Sequence, residues 1–494
     1  MNDVVLKYLK NKGYNSISTN YYNWIELWEN WWRNEVEFHK YHDQTGMERE
    51  MYSLGMAKKI TEDWSSILFT ERDEIKCVAD NKEMTEKNNK YLEDQIKKIK
   101  LYDELPSTIE RAMATGTAAA VLRIKNVNCD KNYNLIADVR TKLDIIYIGA
   151  NQIIPLKVEH GKIIDIAIVS ENYNSENKKE FYIEIHKLKY DKKLEKDTYE
   201  ITNTYLNEQG QEIKKTGIAE NYTISSDIPL FSILKPAIAN PLNNSQNNTN
   251  GLGFSIYGTA LDQLKVCDIT YHNFAMDFYL GGKKVFYNKK IVKTKTIKVK
   301  DEKGNIKEEN KEIYPDDIMR QQWVTYGDEM GNFKDNPAVT EYNPELRVED
   351  DVKGIQFALN TLSFKCGLGT DYYRFDGSKG IVTATQYLGD RQDLMDNANK
   401  HRNNVNAFVE NICKGILLLG RILFKEEVTE ECEISVTDKD GFLVDTETEK
   451  KEFRQDIAQG IRKPWEYRVK FLGEDEATAK ARIADEEIDN IDEE

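Results

Sequence analysis

Two histidines, His39 and His42, stand three residues apart beside Glu35, Glu37 and Asp43. On a helix that spacing puts both imidazoles on one face, which is the start of a zinc site. Zinc wants three or four ligands with hydrogen-bonded partners behind them. The pair therefore reads as exposed polar residues at a helix end. Asp316-Asp317 and Asp350-Asp351 are adjacent carboxylates, and neighbours in sequence point apart on a helix. A two-metal nuclease needs carboxylates converging from separate elements. Asp350 and Asp351 instead suit the first turn of a helix, where negative charge complements the dipole. No GxxxxGK[ST] phosphate loop, Gly-x-Ser-x-Gly or HExxH occurs. Gly251-Leu-Gly-Phe and Gly367-Leu-Gly-Thr lack the strand-glycine-helix context of a nucleotide site. Six cysteines (Cys77, Cys129, Cys267, Cys366, Cys413 and Cys432) are scattered without a CxxC pair. They read as buried free thiols in a reducing compartment. The residue types thus predict no catalytic group, no metal and no cofactor.

What remains is charge and shape. The 494 residues are enough for roughly two to four lobes. Charged residues make up 31% of the chain and mean hydropathy is -0.66, which predicts a wet surface. The formal charge of -16 disfavours a static grip on nucleic-acid phosphates, yet allows an acidic wall past which DNA slides. From Glu474 to Glu494, ten acids face only Lys480 and Arg482, a net of -8 that predicts a solvated tail. Against this trend, Lys289 to Lys311 holds nine lysines and four acids, a net of +5. No apolar signal core opens the sequence and no run of 18 apolar residues occurs, so no membrane is expected.

Periodicity supplies the elements. Tyr21, Trp24, Trp28, Trp31, Trp32 and Val36 recur at helical steps between Thr19 and Asp43, and Met51, Leu54, Ala57, Ile60, Trp64 and Ile67 do so between Glu48 and Phe69. Lys82 to Ile99 is a polar helix, and Leu105 to Leu122 a helix or helix-strand rich in small residues. From about 135 to 220, short β-type runs separated by polar turns predict an antiparallel sheet. Gly253 to Gly281 reads as one amphipathic helix with Tyr257, Leu261, Leu264, Cys267 or Asp268, Tyr271, Phe274 and Phe278 on its apolar face. The lysine-rich segment follows as a hairpin turning at Asp301-Glu-Lys-Gly-Asn. Arg347 to Cys366 predicts a second helix, and about Thr383 to Phe424 a very long third one. Two or three short helices close the sequence.

GFSIYGTALDQLK, YNPELRVEDD, LNTLSFKCGLGTDYYRFD and VTATQYLGDRQDL, together with AKKITEDWSSILF near the N-terminus, resemble the portal proteins of long-tailed phages of Gram-positive hosts. The resemblance implies an α+β portal fold with wing, helical stem, β-rich clip and helical crown. It implies a homo-oligomeric ring of about a dozen subunits at one capsid vertex of the virion, assembled in the host cytoplasm. Double-stranded DNA would be packaged and ejected through it, and its partners would be terminase, the head-tail adaptor, and the major capsid and scaffolding proteins. Carried onto this chain, residues 1–250 would be mainly wing, 251–285 and 347–365 stem helices, and 286–346 clip. Residues 366–382 would be the tunnel loop, 383–450 the long helix and the rest of the wing, and 451–494 the crown. The DNA-facing candidates in that loop are Tyr372, Tyr373, Arg374, Phe375, Asp376 and Lys379, the alternative being that Tyr372, Tyr373 and Phe375 pack the subunit core. The candidates for docking in the clip are Lys293, Lys295, Lys298 and Lys300, the alternative being a solvated, aggregation-resistant hairpin edge. Two alternatives stand beside this reading: a capsid or scaffolding protein that assembles without a pore, and a DNA-processing enzyme.

Overall fold

The computed structural model describes residues 3–14, 19–42, 46–69, 74–129, 135–192, 195–215, 219–242, 251–282, 284–288, 294–300, 306–312, 322–325, 339–374, 392–437, 446–472 and 476–489. Helices and strands are mixed along it. The N-terminal part holds α1 (Asp3–Asn11), α2 (Thr19–Arg33), β1 (Lys40–His42), β2 (Glu48–Glu50), α3 (Met56–Leu68), β3 (Glu74–Ala79), α4 (Lys82–Ile99) and α5 (Leu101–Thr115). Then come β4 (Ala118–Lys125), β5 (Asn128–Cys129), β6 (Leu135–Ile136), β7 (Lys142–Gly149), β8 (Ile153–Glu159), β9 (Lys162–Tyr173), β10 (Lys179–Asp191), β11 (Lys196–Asn207), β12 (Glu212–Ile213), β13 (Asn221–Ile224) and β14 (Phe231–Leu234). The helix α6 (Leu261–Leu280) precedes β15 (Lys284–Asn288), β16 (Thr294–Lys300), β17 (Ile306–Glu312), β18 (Gln322–Thr325) and β19 (Val339–Tyr342). After these follow α7 (Val348–Lys365), α8 (Gln392–Ile422), β20 (Cys432–Thr437), α9 (Thr446–Ala458), α10 (Pro464–Leu472) and α11 (Glu476–Asp489).

Local chemistry explains several boundaries. Asn34 adopts a left-handed conformation (φ 61°), so α2 stops at Arg33 rather than running on to Asp43. The expected helix from Glu48 begins only at Met56, behind a left-handed Gly55. Asn81 caps α4 by accepting the Met84 N–H at 2.7 Å. At the end of α5, Gly116 has φ 80°, and a Cβ there would come within 2.7 Å of the Gly253 carbonyl oxygen. Only glycine fits, and the close approach ties residue 253 into the core.

The main sheet is an antiparallel meander in the order β12-β11-β10-β9-β8, with β13 also pairing β11. A second sheet, β14-β4-β7, lies across α5 and α8. Its central strand, β4, is buried from Ala118 to Leu122 with α5 and α8 both in contact, and the small alanines allow that closeness. Trp28, Trp64, Tyr257, Phe181 and Phe408 are among the largest fully buried side chains. Trp28 meets Phe254 edge-on at 4.9 Å, and Trp64 meets His401 at 4.8 Å. The Trp64 indole N–H donates to the Cys366 carbonyl at 3.1 Å, which fastens the end of α7 to α3.

The expected helix from Gly253 begins only at Leu261. Residues 251–257 are buried turns instead. The Tyr21 hydroxyl donates to the Gly253 carbonyl at 2.6 Å, and the Tyr257 hydroxyl to the Trp28 carbonyl at 2.8 Å. The Gly253 backbone is engaged on both sides, its carbonyl by Tyr21 and its N–H by the Thr117 hydroxyl, so this stretch does not coil. The long third helix is described from Gln392 to Ile422, 31 residues or about 47 Å.

Candidate assembly surface

α6 and α7 lie side by side and run antiparallel. Where α6 ends and α7 begins, Arg347 grips Asp277 with both arms, Nη2 to Oδ1 at 2.8 Å and Nε to Oδ2 at 3.1 Å. That grip holds the Asp277 carboxyl below the usual aspartate range. Burial, and then the charge of Asp277, pushes the neighbouring Asp351 carboxyl up. Glu349, Asp350 and Asp351 occupy the first turn of α7, as the dipole favours.

At its other end the helical pair is rooted in the core. Leu264, Cys267 and Asp268 of α6 are buried, with Ile355, Ala358, Leu359, Leu362 and Ser363 of α7. Asp268 is a buried acid with full satisfaction. Its Oδ1 accepts the Leu54 N–H at 2.8 Å, and its Oδ2 lies 3.0 Å from His39 Nε2. His39 is only 2% exposed, so the reading of it as a surface residue is corrected. It and His42 do not share a helix: His39 lies in a 3-10 turn, and His42 lies on β1, exposed. An acid on the apolar side of α6, next to Cys267, was the only local sign of this bond; its partner lies 229 residues away.

Outside the root, burial stops. No residue of α6 after Asp268 is buried, and none of α7 before Ile355. Yet the exposed surface of the pair, beside the root as well as beyond it, is not polar. Val266, Ile269, Phe278, Tyr279 and Leu280 of α6 are exposed, and so are Val348, Val352, Phe357 and Phe364 of α7. Phe357 and Phe364, seven residues apart on one face, are 72% and 60% exposed. A helix with one apolar face was expected; α6 carries apolar side chains on buried and exposed sides alike. Such a helix needs more than one neighbour.

Beyond the clasp, β15 pairs β18 in parallel and β19 antiparallel, and β16 pairs β17 as an antiparallel hairpin. Lys295, Lys298 and Lys300 lie on β16; Lys298 is exposed and stands opposite Glu308 in register. Lys293, Asp316 and Asp317 lie outside the described residues.

Of the loop candidates, Tyr372, Tyr373 and Arg374 are described. Tyr372 and Tyr373 are partly buried against the core, with their rings edge-on at 4.9 Å. The Tyr373 hydroxyl donates to Asp63 Oδ2 at 2.8 Å, and the Gln356 amide of α7 donates to the Tyr373 carbonyl at 2.6 Å. Burial, with Asp63 beside it, pushes the Tyr373 phenol well up. Arg374 is exposed and pairs with Asp371. Phe375, Asp376 and Lys379 lie outside the described residues.

Near this loop a cleft of about 440 Å³ opens between α7 and the 238–259 segment, lined by Ile238, Phe254, Phe364, Asn397 and His401 among others. His401 accepts the Ala237 N–H on Nδ1 at 2.9 Å, and burial lowers its pKa to about 4. Cys77, Cys267, Cys366 and Cys413 are buried free thiols, and Cys432 is a half-buried one. Among the described residues, no group of three His, Cys, Asp or Glu side chains could hold a metal ion. No helix among them is long and apolar enough to cross a membrane. No protein-family model matches the chain, and no curated protein matches it.

Proposed function

We propose that this chain is a portal-type subunit. Copies stand side by side about an axis, and their α6–α7 pairs wall a channel for double-stranded DNA at one capsid vertex. The observation that carries the reading is the apolar outer surface of that pair. A patch of this kind on a single subunit marks a contact with another protein. The same contact repeated head to tail closes a ring when the rotation allows it. An α6 of 20 residues reaches about 30 Å, a useful depth of channel wall. The net charge of -16 suits passage of a duplex without adhesion. The lysine-bearing hairpin, beyond the far end of the pair, suits an acidic docking partner such as the terminase or head-tail adaptor. The motifs GFSIYGTALDQLK and LNTLSFKCGLGTDYYRFD support the same family reading. The chain itself performs no chemistry in this scheme; the packaging motor hydrolyses ATP.

Negative-stain microscopy and native mass spectrometry of the purified chain test the proposal. Closed annuli with an axial opening wide enough for a duplex are expected. A monomer at every concentration would sink it, and sheets or shells without a pore would select the capsid or scaffolding alternative. Magnesium-dependent cleavage of plasmid DNA, lost on changing Asp350 and Asp351, would select the enzyme. Charge reversal at Lys293, Lys295 and Lys298 is expected to weaken motor or adaptor docking and leave the ring intact.

A further inference from the structure

Away from the helical pair, β20 returns to pair with β3. The register sets Cys77 opposite Ile434, and Cys432 opposite Ala79. Residues two apart on a strand share a face. Cys77 and Cys432 therefore project from the same side of this two-stranded ribbon as a diagonal cross-strand pair. Their side chains interact directly, with the Cys432 thiol donating to the Cys77 sulfur. A second donor aims at the same sulfur: Asn88 Nδ2 lies 3.3 Å from Cys77 Sγ. Asn88 is itself fixed, since it donates to the Thr429 carbonyl at 2.9 Å and accepts the Thr429 N–H at 3.0 Å. The Cys77 backbone is clasped by Asn89, which accepts its N–H and donates to its carbonyl, each at 2.8 Å.

Two donors converging on one sulfur stabilise its thiolate. Cys77 is accordingly lowered to about 7, while burial pushes Cys267 and Cys413 up to about 12. Cys77 is covered and Cys432 is half-buried, so Cys432 is the more accessible of the two.

We propose that Cys77 and Cys432 are an oxidation site, converted by hydrogen peroxide into an intramolecular disulfide that staples β3 to β20. The Cys77 thiolate attacks the O–O bond of the peroxide and becomes a sulfenic acid, and hydroxide leaves. The Cys432 sulfur then attacks the Cys77 sulfur, the S–O bond breaks, and the hydroxyl departs as water with the Cys432 proton. The first hydroxide takes up the proton that Cys77 released. In sum, two thiols and one peroxide give one disulfide and two waters. The strand leading into α4 is then joined covalently to the strand that follows α8.

The full chain is treated with hydrogen peroxide at neutral pH, denatured, alkylated with iodoacetamide, and read by intact mass and peptide mapping. Two fewer alkylated cysteines are expected, with the peptides holding Cys77 and Cys432 linked, and with linkage quickening as pH rises through about 7. In Cys432→Ser, Cys77 is expected to be trapped as a dimedone adduct, with no link formed. Alkylation of all six cysteines after peroxide, or links spread over other cysteines, overturns the proposal. So does a linkage rate that ignores pH. Should Cys432→Ser fail to fold, the map and pH profile of the unaltered chain still decide.

Discussion

At its root the α6–α7 pair is wedged among α3, the 251–260 turns and the His39 loop, and Leu264, Leu359 and Leu362 are shut off from water. Toward its tip the same two helices leave Phe278, Tyr279, Leu280 and Val352 in solvent, closed by one exposed ion pair. The residue types differ little between the two ends. What differs is the partner: among the described residues, the subunit supplies one at the root and none at the tip. Burial at the root stabilises the subunit, and the apolar surface along the outside of the pair stays in solvent, where the proposed ring would cover it.

The strongest way to break this contrast is to charge the outer surface. Ile269→Glu together with Phe357→Glu is expected to abolish ring formation in native mass spectrometry while circular dichroism and thermal unfolding of the subunit stay nearly unchanged. Loss of the folded subunit instead would place these residues in the core. Next in size, Leu359→Ala at the root is expected to cost about 2–5 kcal/mol of unfolding free energy in urea titration. Phe357→Ser, on the same helix, is expected to change subunit stability by less than about 0.5 kcal/mol.

A third test uses pH. The folded value for His401, about 4, lies below its usual 6.5, so the unfolded chain binds the proton first as pH falls. Stability contributed by the neutral ring is therefore present above about 6.5 and lost progressively toward about 4, by roughly 3 kcal/mol in total. His401→Gln is expected to flatten that part of the melting-temperature profile. The smallest effect is expected at the tip. Asp277 is depressed by Arg347, so the clasp contributes at neutral pH and is lost as acid protonates the carboxylate below its ordinary range. Arg347→Ala is expected to leave global unfolding at pH 7 unchanged and to speed amide exchange at the end of α6 and start of α7. Slower exchange there would show that the clasp does not hold the ends together.

Legibility in the sequence followed the range of the forces. α4, expected over Lys82 to Ile99, has those bounds, and α7 falls within one residue at each end of its expected span. Both carry their own caps or charge pattern. The hairpin was readable from its turn residues, and the meander from alternating β-branched runs. The start of α6 was not readable: Gly253 and Tyr257 are held by Gly116, Tyr21 and Trp28, contacts far away in sequence. The bond between His39 and Asp268 was hidden for the same reason. Tyr372 and Tyr373 could be read from the sequence either as DNA-facing loop aromatics or as core packing, and α7 and Asp63 hold them partly buried against the core. The outer apolar surface was visible as residues but not as exposure, since periodicity says which side chains share a face and not whether that face has company.

The Asp268–His39 bond marks the place where the helical pair leaves its support, and mechanics takes over from there. Two rods clamped at one end form a cantilever, and a cantilever bends most at its clamp. A sideways push on the strands beyond the Arg347 clasp would therefore be felt as torque near Asp268 and Ile355. Were neighbours to stand along its flanks, they would brace it, and the stiffness of the whole would belong to the set and not to any single member.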